Sequence, residues 1–266
     1  MDKEAALYKF LQQYQKPAIA FSGGVDSSVV LAACRKAGVE AQPIMCLAEM
    51  IPQFEREDAL RVAKETASEL ELLIMQPLEL PEFVANGAKR CYYCKKMLMT
   101  AIQSKAKALN CDVILDGGNL DDHNDYRPGL QAVRELGIVS PLSACGFNKD
   151  DVRKLAGKYG LSVANKPAYA CLASRIAYGE AITKAKLERV ERAEDYLRGL
   201  GLHNLRVRSH GDLARIEVQP EEIALAASVY AEQIHSKLKG LGFKFVTLDL
   251  QGYTTGSMNA ALSREK

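Results

Sequence analysis

No stretch of this chain constrains its fold more than Phe21-Ser22-Gly23-Gly24-Val25-Asp26-Ser27-Ser28. The apolar run Pro17-Ala18-Ile19-Ala20 leading into it reads as a buried strand. Val29-Val30-Leu31-Ala32-Ala33-Cys34 after it reads as a helix with small and apolar residues facing a sheet. Gly23 and Gly24 lack a Cβ, so the turn can be tight and its backbone N–H groups can point at an anion. The helix that begins there adds the positive end of its dipole, and Ser22, Ser27 and Ser28 add hydroxyl donors. The stretch predicts a phosphate site of strand-loop-helix form. It is not a Walker loop, because the Gly-Lys-[Ser/Thr] ending is missing and the loop holds no lysine.

The S-G-G-V-D-S run resembles the fingerprint of the PP-loop ATP pyrophosphatases. That resemblance implies a loop that holds the β,γ-pyrophosphate of ATP as a leaving group while a substrate oxygen attacks the α-phosphorus. It also implies that Asp26 helps to place Mg²⁺, a hard ion suited to carboxylate and phosphate oxygens. A plain Gly-Ser turn between strand and helix is the competing reading.

With 266 residues, of which 48% are hydrophobic and 26% charged, the chain has room for a sizeable core and for two domains. The N-terminus lacks a basic region followed by an apolar one, and no apolar run approaches the length of a membrane span, so a cytoplasmic protein without a membrane partner is expected. A net charge of +2, with basic residues scattered among acids, argues against a dedicated nucleic-acid surface. Seven cysteines in a reducing compartment are expected as ligands, nucleophiles or buried small residues rather than disulfides. Cys34 and Cys46 fall on a helix and a strand and read as core.

Ahead of the loop, residues 5–15 have helical spacing. After it, strands at 41–47, 71–76 and 111–116 alternate with helical stretches, among them a loop and long helix over 50–69. Ser140-Pro141-Leu142 ends a further strand, and Asn148-Lys149-Asp150-Asp151 opens a capped helix that stops at Gly160. Such alternation predicts an α/β fold with a doubly wound parallel sheet whose ligands lie at the carboxyl ends of the strands. Residues 1–175 form this domain. From 182 to 266 the pattern changes to a helix at 184–199, strands at 205–209 and 213–218, a helix at 221–239 and a strand at 243–248, a second and smaller α+β domain.

Four further stretches carry chemistry. Cys91-Tyr92-Tyr93-Cys94 places two thiols within reach of one metal, one cluster or each other, although no second such pair completes a zinc site. Gly117-Gly118-Asn119-Leu120-Asp121-Asp122 follows a strand end, where Asn119 and Asp122 are either nucleotide contacts or a solvated acidic turn. Arg127, a little further on, sets a guanidinium near the phosphates. Cys171 lies in a weakly periodic loop, 165–176, and is less easily explained as core. In the smaller domain, Arg206 and Arg208 share one strand face, and Arg215 and Glu217 share one on the next. Pattern alone favours a solvated, salt-bridged face over an anion site.

Taken in order, S-G-G-V-D-S, R-C-Y-Y-C-K, D-G-G-N-L-D-D, D-Y-R-P-G, K-P-A-Y-A-C-L-A-S-R, R-V-R and A-R-I-E resemble the LarE family over nearly the whole chain. These are ATP-dependent sulfur transferases of nickel-pincer nucleotide biosynthesis, with a PP-loop fold of the adenine nucleotide alpha hydrolase kind. The resemblance implies adenylylation of a carboxylate of a pyridinium-dicarboxylate mononucleotide and its conversion to a thiocarboxylate, with Cys171 as the sulfur-bearing position. In a single-cysteine type that residue surrenders its own sulfur and ends as dehydroalanine. Cys91 and Cys94 place this chain with the three-cysteine type, in which Cys91, Cys94 and Cys171 hold a 4Fe–4S cluster with an extra sulfide on its open iron. The resemblance also makes Arg206, Arg208, Glu194 and Glu217 candidates for the substrate phosphate or an interface, and implies trimers or hexamers. A tRNA thiolase and a non-catalytic adenine-nucleotide-binding protein are the rival readings.

Overall fold

Residues 2–124, 128–167 and 169–261 are described by the computed structural model. In chain order its elements begin with α1 (Lys3–Leu11), β1 (Ala18–Ala20), α2 (Val25–Lys36), β2 (Gln42–Leu47), α3 (Gln53–Glu65) and β3 (Glu71–Ile74). They continue with α4 (Pro81–Val84), α5 (Arg90–Ala108), β4 (Ile114–Leu115), α6 (Pro128–Glu135), α7 (Pro141–Ala144) and α8 (Lys149–Lys158). The last are α9 (Lys184–Gly199), β5 (Arg206–His210), β6 (Leu213–Glu217), α10 (Ile223–Ser228), α11 (Ala231–Gly240) and β7 (Phe245–Leu248). They divide into two compact units, one of Met1–Pro77 with Cys91–Tyr169 and one of Leu78–Arg90 with Ala170–Lys266. The sequence places residues 78–90 with the first domain; by contacts they belong to the second unit.

In the first unit the four strands run parallel in the order β3-β2-β1-β4. Side chains alternate across a strand, so each contributes to both faces. Ile19, Met45 and Leu115 pack against Leu7, Leu11, Val29, Val30, Leu142 and Val152 of α1, α2, α7 and α8. Ala18, Ile44, Cys46 and Ile114 pack against Met99, Ile102 and Ala106 of α5 and Val133 of α6. A parallel sheet covered on both faces requires strands that are apolar on both, which is how β1 and β2 read. The turn between β1 and α2 stands at the carboxyl end of a central strand.

Two expected strands shrink for local reasons. The one at 111–116 is two residues long, because Asp116 turns its carboxylate back onto the Gly118 N–H (2.9 Å) and the chain leaves the sheet. The one expected to end at 140–142 is reduced to a single bridge, Leu115 with Val139, since Pro141 starts the helical turn α7 and has no N–H for a ladder. The expected capping of α8 is present: Asn148 accepts from the Asp151 N–H and Asp151 from the Asn148 N–H.

The second unit is built on the sheet β5-β6-β7, antiparallel then parallel. Val207, Ala214 and Ile216 face a core closed by Ala193 and Leu197 of α9 and Ile234 and Leu238 of α11. The helix expected over 221–239 is interrupted at Val229 and Tyr230, where the Tyr230 amide reaches the Leu225 carbonyl (3.3 Å), one residue too far for an α-helix. Among the described residues no helix is long and apolar enough to cross a membrane.

Candidate active site

The loop after β1 is braced from within. Ser28 donates to the Gly24 carbonyl (2.8 Å) and so does Ser27 (3.2 Å), which makes both hydroxyls part of the turn rather than outward donors. The Ser22 hydroxyl stands 3.2 Å from that of Ser27 and accepts from the Gly24 N–H (3.3 Å). Gly24 caps α2 with extended backbone and no side-chain partner, leaving the helix start without a side-chain cap. Gly23 has φ +72°, and a Cβ there would lie 2.7 Å from Ala59 of α3.

The acidic turn packs directly on this loop. A Cβ at Gly117 would lie 2.7 Å from the Ser27 nitrogen and 2.9 Å from the Asp26 Cβ, so the absence of a side chain lets the two turns meet. Four residues then close a ring of hydrogen bonds. Asn119 donates its amide to Asp26 Oδ1 (3.1 Å), Asp121 donates its N–H to Asn119 Oδ1 (3.0 Å), Lys149 donates its N–H to Asp121 Oδ2 (2.8 Å), and the Lys149 ammonium pairs with Asp26 Oδ2. Asn119 is buried and its own N–H is capped by Asp122 Oδ2 (3.0 Å). Behind the turn, Ser140 donates to Asp116 (2.6 Å). The carboxylate oxygens of Asp26 suit a hard cation carried in with phosphate oxygens, which needs only one or two carboxylates from protein. Arg127 lies outside the described residues.

Ser162, Lys166 and Tyr169 reach onto α3. Lys166 lies 2.7 Å from both Glu55 and Asp58, and Phe54 and Tyr169 pack edge to face at 4.8 Å. Cys91, exposed, and Cys94, buried, are three residues apart on the first turn of α5, hence on one face of the helix. Both belong to the first unit and Cys171 to the second. Among the described residues, no three His, Cys, Asp or Glu side chains within either unit are grouped to hold a metal ion. Cys34, Cys46, Cys111 and Cys145 form no disulfide.

In the second unit Cys171 caps a short helical turn, Leu172–Arg175, and the backbone of that turn is gripped by arginines. Arg175 is fully buried. It donates to the Ala170 (2.5 Å) and Cys171 (3.2 Å) carbonyls and pairs with Glu194 through Nε (2.8 Å). Glu194, also fully buried, takes the Val207 N–H of β5 (3.0 Å). Arg208 donates to the Ser174 carbonyl (3.3 Å) and twice to Glu217 Oε2 (3.0 and 2.7 Å), while Arg215 holds Glu217 Oε1 (2.9 Å). Arg206 stacks over Tyr253 at 4.8 Å. The face that pattern alone reads as solvated is buried at Arg206, Arg208 and Glu217, because the 170–176 segment and residues 253–258 cover it. Asn86, buried and in left-handed backbone, donates to the Ala177 (2.8 Å) and Glu180 (3.0 Å) carbonyls, and Arg90, immediately before Cys91, donates to the Ala173 carbonyl (3.0 Å).

Two contributors escape the sequence reading. Lys149 looks like an ordinary first-turn residue until its side chain is seen on Asp26. Arg175 stands inside the quoted A-C-L-A-S-R motif without a role of its own, and an arginine so close to a lone loop cysteine was the available signal.

An uncharacterized protein of Synechocystis sp. is 41% identical over 260 residues, 97% of each chain. The pyridinium-3,5-bisthiocarboxylic acid mononucleotide synthase of Lactiplantibacillus plantarum is 36% identical over 264 residues, 98% of this chain and 95% of its own. The chain belongs to the LarE family. A tRNA-specific 2-thiouridylase of Clostridium tetani matches at 26% over 189 residues, 57% of this chain and 52% of its own. No protein-family model matches. LarE proteins are PP-loop sulfur transferases, so this chain is an enzyme and not a passive nucleotide-binding protein.

Proposed function

We propose that this LarE-family enzyme adenylylates a carboxylate of pyridinium-3,5-dicarboxylate mononucleotide and converts it to a thiocarboxylate. The full-length likeness to the mononucleotide synthase carries the reading, and the lysine-free loop supports it. A carboxylate oxygen of the substrate attacks the α-phosphorus of ATP, the bond from that phosphorus to the bridging oxygen breaks, and pyrophosphate leaves with the electron pair. A sulfur nucleophile then adds to the acyl carbon and AMP departs. The tRNA thiolase alternative is disfavoured because that likeness covers little more than half of either chain.

On this reading the residues are assigned as follows. The uncapped start of α2 and the turn at Gly23 and Gly24 receive the β,γ-phosphates. Asp26, oriented by Asn119, would hold Mg²⁺ together with phosphate oxygens and so position the triphosphate. Arg206 and Arg208, the latter directed by Glu217, are assigned to the substrate phosphate, with Glu194 beside them on α9. Cys91, Cys94 and Cys171 are assigned to a 4Fe–4S cluster, for which soft thiolates are the suitable donor set. When bound by three thiolates, such a cluster keeps one iron open for a transferable sulfide. The protein is assigned to the cytoplasm and to a homo-oligomer.

Phosphorus NMR of the reaction with ATP, Mg²⁺ and the mononucleotide tests the first step. AMP and pyrophosphate are expected, dependent on the mononucleotide and indifferent to tRNA. ADP with phosphate as products would remove the proposal.

A further inference from the structure

The arginine face of β5 and β6 is closed by a segment from near the end of the chain. Arg208 and Arg215 each hold Glu217 with one N–H of Nη2, at 2.7 Å and 2.9 Å. The second N–H of each Nη2 goes to residues 253–258: Arg208 donates to the Ser257 hydroxyl (3.1 Å) and Arg215 to the Met258 thioether (3.6 Å). Ser257 in turn donates to Glu217 Oε1 (2.8 Å), and Arg206 stacks over the Tyr253 ring. A hydroxyl is uncharged and a thioether is a weak acceptor, so both guanidinium groups give a donor to partners much poorer than a phosphate oxygen. The buried Arg215 Nε makes no hydrogen bond among the described residues and stands 3.6 Å from Asp249.

The segment is fixed at its two ends and lightly held between them. Gly252 has φ +75°, a Cβ there would lie 2.7 Å from the Val218 carbonyl oxygen, and the Tyr253 N–H is bonded to that same oxygen (2.7 Å). At the other end Tyr178 donates to Asn259 (3.3 Å). Between these points Thr254, Thr255 and Gly256 are exposed, while Tyr253, Ser257 and Met258 are half-buried. Little apolar surface is removed from water, so what keeps the middle down is mainly its contact with the arginines. Val207, Ala214 and Ile216, which build the core of this unit, alternate with Arg206, Arg208 and Arg215 and so lie on the opposite face of the sheet. Lifting the segment therefore leaves that core closed.

We propose that residues 253–258 are a strap that the phosphate of the substrate displaces, and that Ser257 and Met258 hold the places its oxygens take on Arg208 and Arg215. The strap pivots at Gly252, and Glu217 keeps both arginines aimed through their other Nη2 protons. A nucleoside without a phosphate meets a closed face, which makes the strap a determinant of specificity for the phosphorylated substrate. No covalent bond changes and no proton moves. The inference rests on the assignment of this face to the substrate phosphate and adds how the site stays closed without it.

The chain contains no tryptophan, so Tyr253→Trp puts a single indole in the strap, over Arg206. Titration of this full-length variant with ribose 5-phosphate should shift its emission to the red and strengthen quenching by acrylamide, whereas ribose alone should change neither. Adding Arg206→Met should move the shift to about tenfold higher ligand, the loss of one charged contact. A shift unaltered in that background arises elsewhere and counts against the strap. Calorimetry on the chain with its natural Tyr253 gives a second reading. Ser257→Ala combined with Met258→Ala removes both acceptors and should tighten ribose 5-phosphate binding about fivefold or more, because a larger share of molecules is already open. Any binding at the nucleotide loop is common to both proteins and cancels in the comparison. Emission that moves to the blue, or weaker binding by the double variant, would make Ser257 a ligand of the phosphate and overturns the strap. Binding that leaves the emission unmoved overturns it too. Ribose 5-phosphate that binds neither wild type nor double variant removes the phosphate assignment itself, a result distinct from binding under a strap that stays in place.

Discussion

At Gly23 the backbone decides the residue. A φ of +72° is open to glycine at little cost, and the Cβ of any other residue would stand 2.7 Å from the Cα and Cβ of Ala59. Gly23→Ala should therefore destabilise the protein by about 1–3 kcal/mol, the scale of a strained backbone position, and weaken ATP binding as the loop shifts; denaturant melts and nucleotide titration read the two effects. A normal melt with full ATP affinity would show that α3 yields there. The cysteines divide just as sharply. Burial pushes the Cys34 thiol up to about 12 and that of Cys46 to about 11, so both remain protonated, and brief iodoacetamide treatment of the native protein near pH 8 should leave them unlabelled by peptide mass analysis. Because the folded-state values lie above those of the unfolded chain, the stability they contribute is complete below about pH 8.5 and is lost as pH rises through the folded values. Their place in the core was legible from composition and periodicity. Lys149 was not, since no spacing rule says where a lysine tip will rest.

Among the elements, α9 matches the expected 184–199 because charged and apolar residues alternate there with helical period, and Thr183 and Gly199 mark its ends. The 221–239 region misled for the converse reason: apolar spacing continues through Val229 and Tyr230, and only the long Tyr230 to Leu225 bond reveals the break. On the face formed by β5 and β6 the register was legible and the burial was not. Arg206 does oppose Glu217, and Arg208 opposes Arg215, but alternation along a strand cannot report that distant segments lie over it. The turn at 172–175 depends on that cover. Arg175→Met removes one partner of a fully buried ion pair and leaves Glu194 with its charge in the interior, a change that costs about 3–5 kcal/mol. The expected result is a lower midpoint of unfolding together with faster proteolysis near Cys171. An unchanged midpoint would mean that Arg198, 3.7 Å from Glu194, takes over the pair.

For the whole molecule, the doubly wound sheet could be read from the alternation of elements around one glycine-serine loop. The allegiance of residues 78–90 could not, because it rests on buried partners such as Asn86 and the Ala177 carbonyl, distant in sequence. The assignment to a trimer or hexamer predicts a mass three or six times that of the chain by light scattering, and a monomer at micromolar concentration would refute it. The central claim is that the enzyme moves sulfur onto its substrate by way of three cysteines and does not consume one of them. Mass spectrometry of an anaerobic reaction with reconstituted protein, ATP, Mg²⁺, mononucleotide and added sulfide reads product and protein together. The account predicts repeated turnovers in which the mononucleotide exchanges a carboxylate oxygen for sulfur while Cys171 keeps its mass. A single turnover that leaves Cys171 lighter by the elements of hydrogen sulfide would contradict it.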